Sequence, residues 1–173
     1  MVNLKDNYCF NVMKRTKEMY EKIISAHEDK KESVIETHGW DSPEVHEWYK
    51  KLTVNEDIVD IAKQLRTQNF NIYVLSNMAE ATYLYIKNID FFKLCDGIVI
   101  SAYENIKKPD KKIFEILLNR FNIKANESLF IDDDDTNRSY ITANELGILG
   151  RRVEPNSAKD IIKLLNEFDI KLL

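Results

Sequence analysis

Residues that break, bridge or rigidify a chain are scarce in this sequence. Its 173 residues include only 4 glycines and 3 prolines, which leaves little room for flexible linkers or long irregular segments. The two cysteines, Cys9 and Cys95, are too few for a disulfide framework, so we expect a reduced protein of the cytoplasm. The longest apolar runs, such as residues 98–100, are far too short to span a bilayer, and Lys5 and Asp6 interrupt any secretory signal, so we expect no membrane partner.

An excess of positive charge is also absent. The formal net charge is -4, which argues against a nucleic-acid partner because phosphate backbones attract concentrated positive charge. The three histidines, His27, His38 and His46, do not have the spacing of a metal-binding set. The composition that remains is globular, with 44% hydrophobic and 31% charged residues, and the length suits one domain or a compact domain with a small appendage.

The chain divides into two parts that differ in texture. Residues 1–54 have a helical pattern, in which Val12, Met19, Tyr20, Ile23 and Ile24 recur at helical spacing. In residues 55–173, short apolar stretches alternate with amphipathic ones. The short stretches have the length of buried strands and are residues 72–75, 97–100, 129–131 and 148–153.

Helices are predicted between these strands and after the last one. Asn55, Asp110 and Ser157 stand in N-cap positions, and a further helix runs from Thr136 to Leu146. Short buried strands alternating with amphipathic helices indicate an α/β fold with a parallel sheet that is covered on both faces. The carboxyl ends of such strands meet at one edge, where α/β proteins bind their ligands.

Three of the predicted strands are followed by polar residues. The pair Ser76 and Asn77 follows the first strand, Lys107-Lys108-Pro109-Asp110 lies in the loop after the second, and four consecutive aspartates, residues 132–135, follow the third. Each feature alone has an ordinary interpretation: a helix cap, a surface charge or a solvated acidic turn. Carboxylates packed at a strand end repel each other, however, and Mg²⁺ would relieve that repulsion because it prefers oxygen ligands.

Together and in this order, the three features resemble the haloacid dehalogenase-like (HAD) superfamily of hydrolases, most of which are Mg²⁺-dependent phosphatases. The matching segments are Tyr73-Val74-Leu75-Ser76-Asn77, then Lys108-Pro109-Asp110 with Ile113-Phe114, then Phe130-Ile131-Asp132-Asp133 with Asn137, Ala143, Leu146 and Gly147. The resemblance implies a Rossmann-like three-layer parallel sheet over residues 55–173. It also implies that residues 1–54 form the small helical cap that the family inserts after its first motif.

The resemblance also implies a role for each matching residue. Ser76, with the backbone N–H groups around Asn77, would bind a phosphoryl group, and Lys108 would neutralise it. Asp133 would ligate Mg²⁺, with Asp132 as a second or water-mediated ligand, and Asn137 would orient this loop. The pair Arg151 and Arg152, at the last strand end, is interpreted as a solvated basic turn.

The family's first motif, a strand followed by Asp-x-Asp, is not found. The only early aspartate, Asp6, follows a polar stretch and has no second Asp at the required position, so it is rejected as the nucleophile. Without that nucleophile, covalent catalysis is lost. The first strand of this fold lies at the centre of the sheet, so the resemblance predicts that the central strand is missing. Either the chain is truncated, or the slot is filled by direct pairing of the flanking strands, by residues 8–12, or by a strand of a partner chain.

Three functions remain open, so whether the chain is an enzyme is left undecided. The first is a HAD-like hydrolase of the Mg²⁺-dependent phosphatase type, acting on a small phosphorylated metabolite and impaired in this chain. The second is a degenerate phosphatase that binds a phosphate ligand or a protein without turnover. A third is a haloacid dehalogenase, which would need no metal. Self-association through the open sheet is a further expectation.

Overall fold

The computed structural model describes residues 7–9, 13–14 and 53–172. Within these ranges it contains seven strands and seven α-helices. The strands are β1 (Asn7–Cys9), β2 (Met13–Lys14), β3 (Thr53–Val54), β4 (Asn71–Ser76), β5 (Gly97–Ile100), β6 (Ser128–Asp132) and β7 (Leu149–Arg152). The helices are α1 (Glu56–Thr67), α2 (Glu80–Ile86), α3 (Asp90–Lys93), α4 (Ser101–Glu104), α5 (Lys111–Arg120), α6 (Ser139–Glu145) and α7 (Ala158–Asn166). None of the described helices has the length and apolar character needed to cross a membrane.

Five strands form one parallel sheet in the order β5-β4-β1-β6-β7, and β2 and β3 form a separate antiparallel pair. The predicted α/β fold with a parallel sheet is therefore confirmed. Because all five strands run in the same direction, their carboxyl ends lie at one edge of the sheet. Ser76 ends β4 at this edge and Asp132 ends β6 there, on the two sides of β1.

The central position of the sheet is filled by β1. Its middle residue, Tyr8, stands level with Ile72 of β4 and with Leu129 of β6. The expectation that the central strand is missing is thus corrected. Of the three candidates for the slot, the N-terminal segment fills it: β1 spans Asn7–Cys9 and overlaps the candidate residues 8–12 at Tyr8 and Cys9. The backbone groups of β4 and β6 find partners in β1, which removes the cost of leaving them unpaired inside the sheet.

The N-terminal part is not helical where the structure describes it. Asn7–Cys9, Met13–Lys14 and Thr53–Val54 are strands, so the helical prediction over residues 1–54 is wrong for these three segments. Strands of two or three residues are too short to show a period of two, and their backbone partners come from distant parts of the chain. Residues 15–52, which hold most of the predicted cap, lie outside the described residues, and the division at residue 54 stays a prediction.

Both faces of the sheet are buried. Alternate residues of β4 point to opposite faces: Ile72 and Val74 pack in one apolar cluster, and Tyr73 and Leu75 in another. The first cluster is completed by α1 and α7, and the second by α5 and α6. The result is a three-layer arrangement in which the strand ends are the accessible edge.

The predicted helix caps are confirmed. The side chains of Asn55, Asp110 and Ser157 accept hydrogen bonds from the backbone N–H groups of Ile58, Lys112 and Asp160, at 3.4, 2.9 and 3.2 Å. One helix starts later than predicted. The Asp134 carboxylate accepts hydrogen bonds from the backbone N–H groups of Thr136 and Asn137, which stabilises a loop at these residues. Helix α6 therefore begins only at Ser139.

Candidate functional site

The carboxyl edge of the sheet brings together three of the predicted site residues: Asn77, Lys108 and Asp132. Asn77 directly follows β4, Asp132 is the last residue of β6, and Lys108 lies in the loop between α4 and α5. The Lys108 Nζ atom lies 2.7 Å from Asp132 Oδ2, and their side chains are only 8% and 3% exposed. A lysine and an aspartate buried this completely are rare unless they pair, as they do here.

The surroundings of Asp132 fix its carboxylate on both sides. Its Oδ1 atom accepts hydrogen bonds from the backbone N–H groups of Asp133, at 3.0 Å, and Asp134, at 3.3 Å. Lys108 is also held over the ring of Phe130, with Nζ 5.3 Å from the ring centroid. The ammonium group of Lys108 is therefore a fixed positive charge at the end of β6, next to the central strand.

The side chain of Asn77 binds the main chain of Lys108. Its side-chain Oδ1 accepts from the N–H of Lys108 at 2.7 Å, and its Nδ2 donates to the carbonyl of the same residue at 2.9 Å. The helix that follows begins at Glu80 rather than at Asn77. The N–H of Met78 donates to Ser101 Oγ at 3.0 Å, so this N–H group is already engaged. Ser76 lies half-buried at the end of β4, level with Ile100 of β5.

The last residue of β6 and the three aspartates that follow it have different partners. Asp132 faces Lys108, and Asp134 bonds to Asn137 and Thr136. Asp135 forms a two-point ion pair with Arg152, including an Nη2–Oδ2 contact of 2.7 Å. Asp133 remains half-buried beside the site. Within the described ranges, no three or more His, Cys, Asp or Glu side chains are grouped so that they could hold a metal ion.

The electrostatics of this loop follow from the contacts. Burial by itself would raise the pKa of Asp134, but hydrogen bonds from the Asn137 side chain and from two backbone N–H groups, with the charge of Lys108, hold that pKa below its usual range. The hydrogen bond from Arg152 is the main cause that lowers the pKa of Asp135. Partner groups, without a metal ion, therefore already stabilise the charged forms of these two aspartates.

The carboxylates at the end of β6 suit one Mg²⁺ ion. Both oxygens of Asp132 accept hydrogen bonds from protein groups, and the next residue, Asp133, supplies a second carboxylate at the same strand end. Protein sites for Mg²⁺ commonly use one or two carboxylates, and waters and substrate phosphate oxygens complete the octahedron. Asp133 also lines a small open cleft with Asp132, Glu154 and Ser157, beside apolar residues of α1 and α7. The residues present thus fit an ion that binds together with a phosphate.

Sequence reasoning missed three residues at this edge. Asp134 and Ser101 have no assigned role in the sequence prediction. Arg152, predicted to lie in a solvated turn, is half-buried and pairs with Asp135 and Glu154. In the structure Arg152 ends β7 level with Asp132 at the end of β6, which brings it within reach of Asp135 in the loop that follows. The side-chain directions of the other two depend on long-range packing that the sequence does not display.

Comparison with known proteins identifies the family. The model of haloacid dehalogenase-like hydrolases matches residues 5–138. The sesquiterpene phosphatase astK of Aspergillus oryzae is 28% identical over 94 residues, which cover 54% of this chain and 47% of that protein. Acyl-CoA dehydrogenase family member 10 of Mus musculus is 35% identical over 81 residues, 46% of this chain and 7% of that protein. The chain thus spans about half, or much less, of the length of these curated relatives.

Solved structures share the fold. A HAD family enzyme from Bacteroides thetaiotaomicron, solved as a magnesium complex, superposes with a TM-score of 0.67 at 19% identity over 90% of this chain and 96% of that chain. That enzyme has also been solved with magnesium and inorganic phosphate. A HAD-like family hydrolase from Porphyromonas gingivalis gives a TM-score of 0.67 at 18% identity, over 97% and 99% of the two chains. At these identities the likeness establishes the fold.

Proposed function

The chain belongs to the family of haloacid dehalogenase-like hydrolases, and we propose that it is a phosphatase-type member that binds the phosphoryl group of a small phosphorylated metabolite, with Mg²⁺, but hydrolyses it poorly. The observation that carries the proposal is the buried pair of Lys108 and Asp132 at the carboxyl edge of the sheet. The phosphatase among the relatives and the magnesium and phosphate complexes of the structural neighbour support it.

The proposed roles use the chain's own residues. Lys108 neutralises the negative charge of the phosphoryl group, and Asp132 holds the ammonium group in place. The Ser76 hydroxyl, at the end of β4, donates to a phosphoryl oxygen. Asp133 would hold Mg²⁺, which supplies charge shielding for the phosphoryl oxygens when it is bound. Asn137 donates to the Asp134 carboxylate from its backbone N–H and from its side-chain amide, and so orients the loop that follows Asp132.

The expected weakness in turnover comes from the segment after the central strand. β1 ends at Cys9, and from Asn7 to Lys14 the sequence contains neither Asp nor Glu. The resemblance requires Asp-x-Asp directly after this strand, for the nucleophile and the general acid/base. Asn11 and Met13 are the residues with that spacing, and neither can form an aspartyl-phosphate. The chain therefore retains the groups that bind a phosphate and lacks the one that attacks it.

Restoring the two carboxylates tests the proposal. The double substitution Asn11→Asp and Met13→Asp should raise Mg²⁺-dependent hydrolysis of p-nitrophenyl phosphate on the order of a hundredfold or more above the parent chain, because a nucleophile and a general acid are regained. Chelation of the metal with EDTA should abolish the gained activity. The rate of p-nitrophenol release, with circular dichroism to verify the fold, measures the effect.

The matched control adds Lys108→Met to the double variant and should return the rate to that of the parent. A gained activity that survives Lys108→Met would contradict the assignment of the site. A parent chain that already hydrolyses the ester as fast as the restored variant would contradict the proposed weakness in turnover. Activity that persists after chelation, on a haloacid rather than a phosphate ester, would favour a dehalogenase instead.

The location and partners of the protein belong to the same proposal. A reduced cytoplasmic setting remains the prediction from the two cysteines, Cys9 and Cys95. The absence of nucleic-acid and membrane partners also remains a prediction. Self-association through the open sheet also remains a prediction.

A further inference from the structure

The side chain of Asn77 binds the main chain of a residue that is distant in sequence. Its Oδ1 accepts from the N–H of Lys108 at 2.7 Å, and its Nδ2 donates to the Lys108 carbonyl at 2.9 Å. The two backbone groups flank the Lys108 Cα atom, so a planar amide that engages both restricts rotation about φ and ψ of that one residue. The Asn77 amide thus bonds to both the N–H and the C=O of Lys108, as the backbone of a neighbouring strand would.

We call this two-point contact between the Asn77 amide and the Lys108 backbone the Asn77 clamp. It fixes the Cα atom from which the Lys108 side chain extends. The loop that carries Lys108 runs from Asn105, which ends α4 in a left-handed conformation, to Asp110, which caps α5. No strand of the described sheet includes this loop, so the partners of the Lys108 N–H and C=O come from Asn77. A lysine side chain has a flexible four-carbon stem, and fixing its Cα leaves fewer ways to reach Asp132.

We propose that Asn77 is a positioning residue, which sets the Lys108 ammonium group against Asp132, rather than a phosphate ligand through its side chain. The inference rests on the proposed phosphate site for its consequence in binding, but the geometry of the clamp is independent of any ligand. Asn77 also links the end of β4 to the Lys108 loop, because it follows Ser76 directly. Movement of the Lys108 loop would therefore be coupled to the Ser76 hydroxyl.

A spectroscopic signature of Lys108 tests the clamp without a ligand. In protein labelled with ¹⁵N and ¹³C at lysine, the Lys108 Nζ and Cε resonances, assigned by their loss in Lys108→Gln, should stand apart from those of exposed lysines because the ammonium group is buried and paired. In Asn77→Ala they should move toward the exposed lysines. The matched control is Asn119→Ala, on the exposed side of α5, which should leave them unchanged.

Binding of inorganic phosphate in the presence of Mg²⁺, followed by calorimetry, gives the second measurement. Asn77→Ala should weaken it on the order of tenfold, since displacing a charged group by a fraction of an ångström is costly at a preorganised site. Lys108 resonances that do not move in Asn77→Ala would overturn the proposal. If Asn77→Ala does not fold, the isosteric Asn77→Asp, which keeps an acceptor for the Lys108 N–H and loses the donor to its carbonyl, decides in the same way.

The two measurements separate this inference from the proposed function. A parent chain that binds no phosphate, but in which Asn77→Ala shifts the Lys108 resonances, would refute the phosphate site and support the clamp. Weaker phosphate binding with unmoved Lys108 resonances would instead make Asn77 a direct ligand and refute the clamp.

Discussion

Lys108 and Asp132 form the most deeply buried ion pair among the described residues, and at the residue scale the site depends on them. Removing one partner leaves the other charge buried without compensation. We expect Lys108→Met to lower the free energy of unfolding by about 3–5 kcal/mol. Urea denaturation followed by circular dichroism measures the change.

Two comparisons show whether this loss comes from the pair. Lys112→Met, on the exposed surface of α5, should change stability by less than about 0.5 kcal/mol. The double variant Lys108→Met with Asp132→Leu should recover much of the loss, because no unpaired charge remains. A single variant Lys108→Met as stable as Lys112→Met would show that the two side chains are not paired in the interior.

Asp134 gives the loop after β6 a defined response to acid. Its pKa is lowered in the folded protein, so its contribution to stability is present above its unfolded pKa and is lost as the pH falls through the folded value. Asn137→Ala removes a hydrogen bond that holds the pKa down, so the acid-induced loss of stability should begin at a higher pH. The free energy of unfolding, measured from about pH 6 to about pH 2, shows the shift.

The control for this pH effect is Asn166→Ala, at the exposed end of α7, which should leave the acid limb of the stability curve in place. If the limb of Asn137→Ala coincides with that of the parent, the hydrogen bond to Asp134 does not set its pKa.

At this scale the sequence predicts which residues belong to the site, but it does not predict which groups their side chains contact. Lys108 and Asp132 were found because their order along the chain resembles known motifs. The partner of the Asn77 side chain could not be predicted. An asparagine just after a strand can bind either a ligand or a backbone segment, and its position in the sequence is the same in both cases. Which of the two occurs depends on a loop 31 residues away.

At the scale of elements, long periodic segments were predicted well. The stripe of Ile58, Ile61 and Leu65 in α1 is buried as its spacing requires, and β5 has the predicted bounds of Gly97–Ile100. The start of α6 was missed, because the aspartates before it use their oxygens to bond to backbone N–H groups that a helix would otherwise direct along its axis. Hydrogen bonding by these side chains competes with helix formation here, so the first residue of α6 could not be predicted from the sequence.

The packing of α6 on β7 depends on one glycine. A Cβ atom at Gly150 would lie 2.1 Å from the carbonyl oxygen of Tyr140, and backbone atoms cannot rotate away. The Asn144 side chain also bonds to the N–H and carbonyl of Gly150, at 3.0 and 3.1 Å, the same two-point contact that Asn77 makes with Lys108. Asn77 and Asn144 thus each use a side-chain amide to fix a backbone segment that has no strand partner on that side.

We therefore expect Gly150→Ala to lower the free energy of unfolding by at least about 1–3 kcal/mol, because α6 must move off the sheet. Thermal unfolding followed by circular dichroism measures the loss. Gly147→Ala is the comparison: its φ of 81° strains a side chain, but the nearest atom is the Cβ of Ala125 at 3.9 Å, so the cost should be about 1 kcal/mol. Equal losses in the two variants would mean that close contact with Tyr140 is not what Gly150 provides.

At the scale of the whole molecule, the sheet is continuous because a three-residue strand lies in its centre. The sequence could predict that such a strand was needed, since β4 and β6 would otherwise leave their backbone groups unpaired. It could not show that residues 7–9 provide it: Asn7, Tyr8 and Cys9 have neither an apolar run nor an alternation, and the strand exists because two neighbours pair with it. A tertiary requirement, rather than a local preference, determines its structure.

The stability of the molecule should therefore depend on the backbone of β1. Tyr8→Pro removes the N–H of the middle residue and leaves an acceptor without its donor, which costs about 1–3 kcal/mol for a buried group. Tyr8→Phe, which keeps the N–H, is the matched control and should be more stable than Tyr8→Pro by this amount in urea denaturation. Equal stability would mean that Asn7–Cys9 does not pair between β4 and β6. In that case Asn11 and Met13 would no longer stand after the central strand, and restoring aspartates there should produce no phosphatase activity.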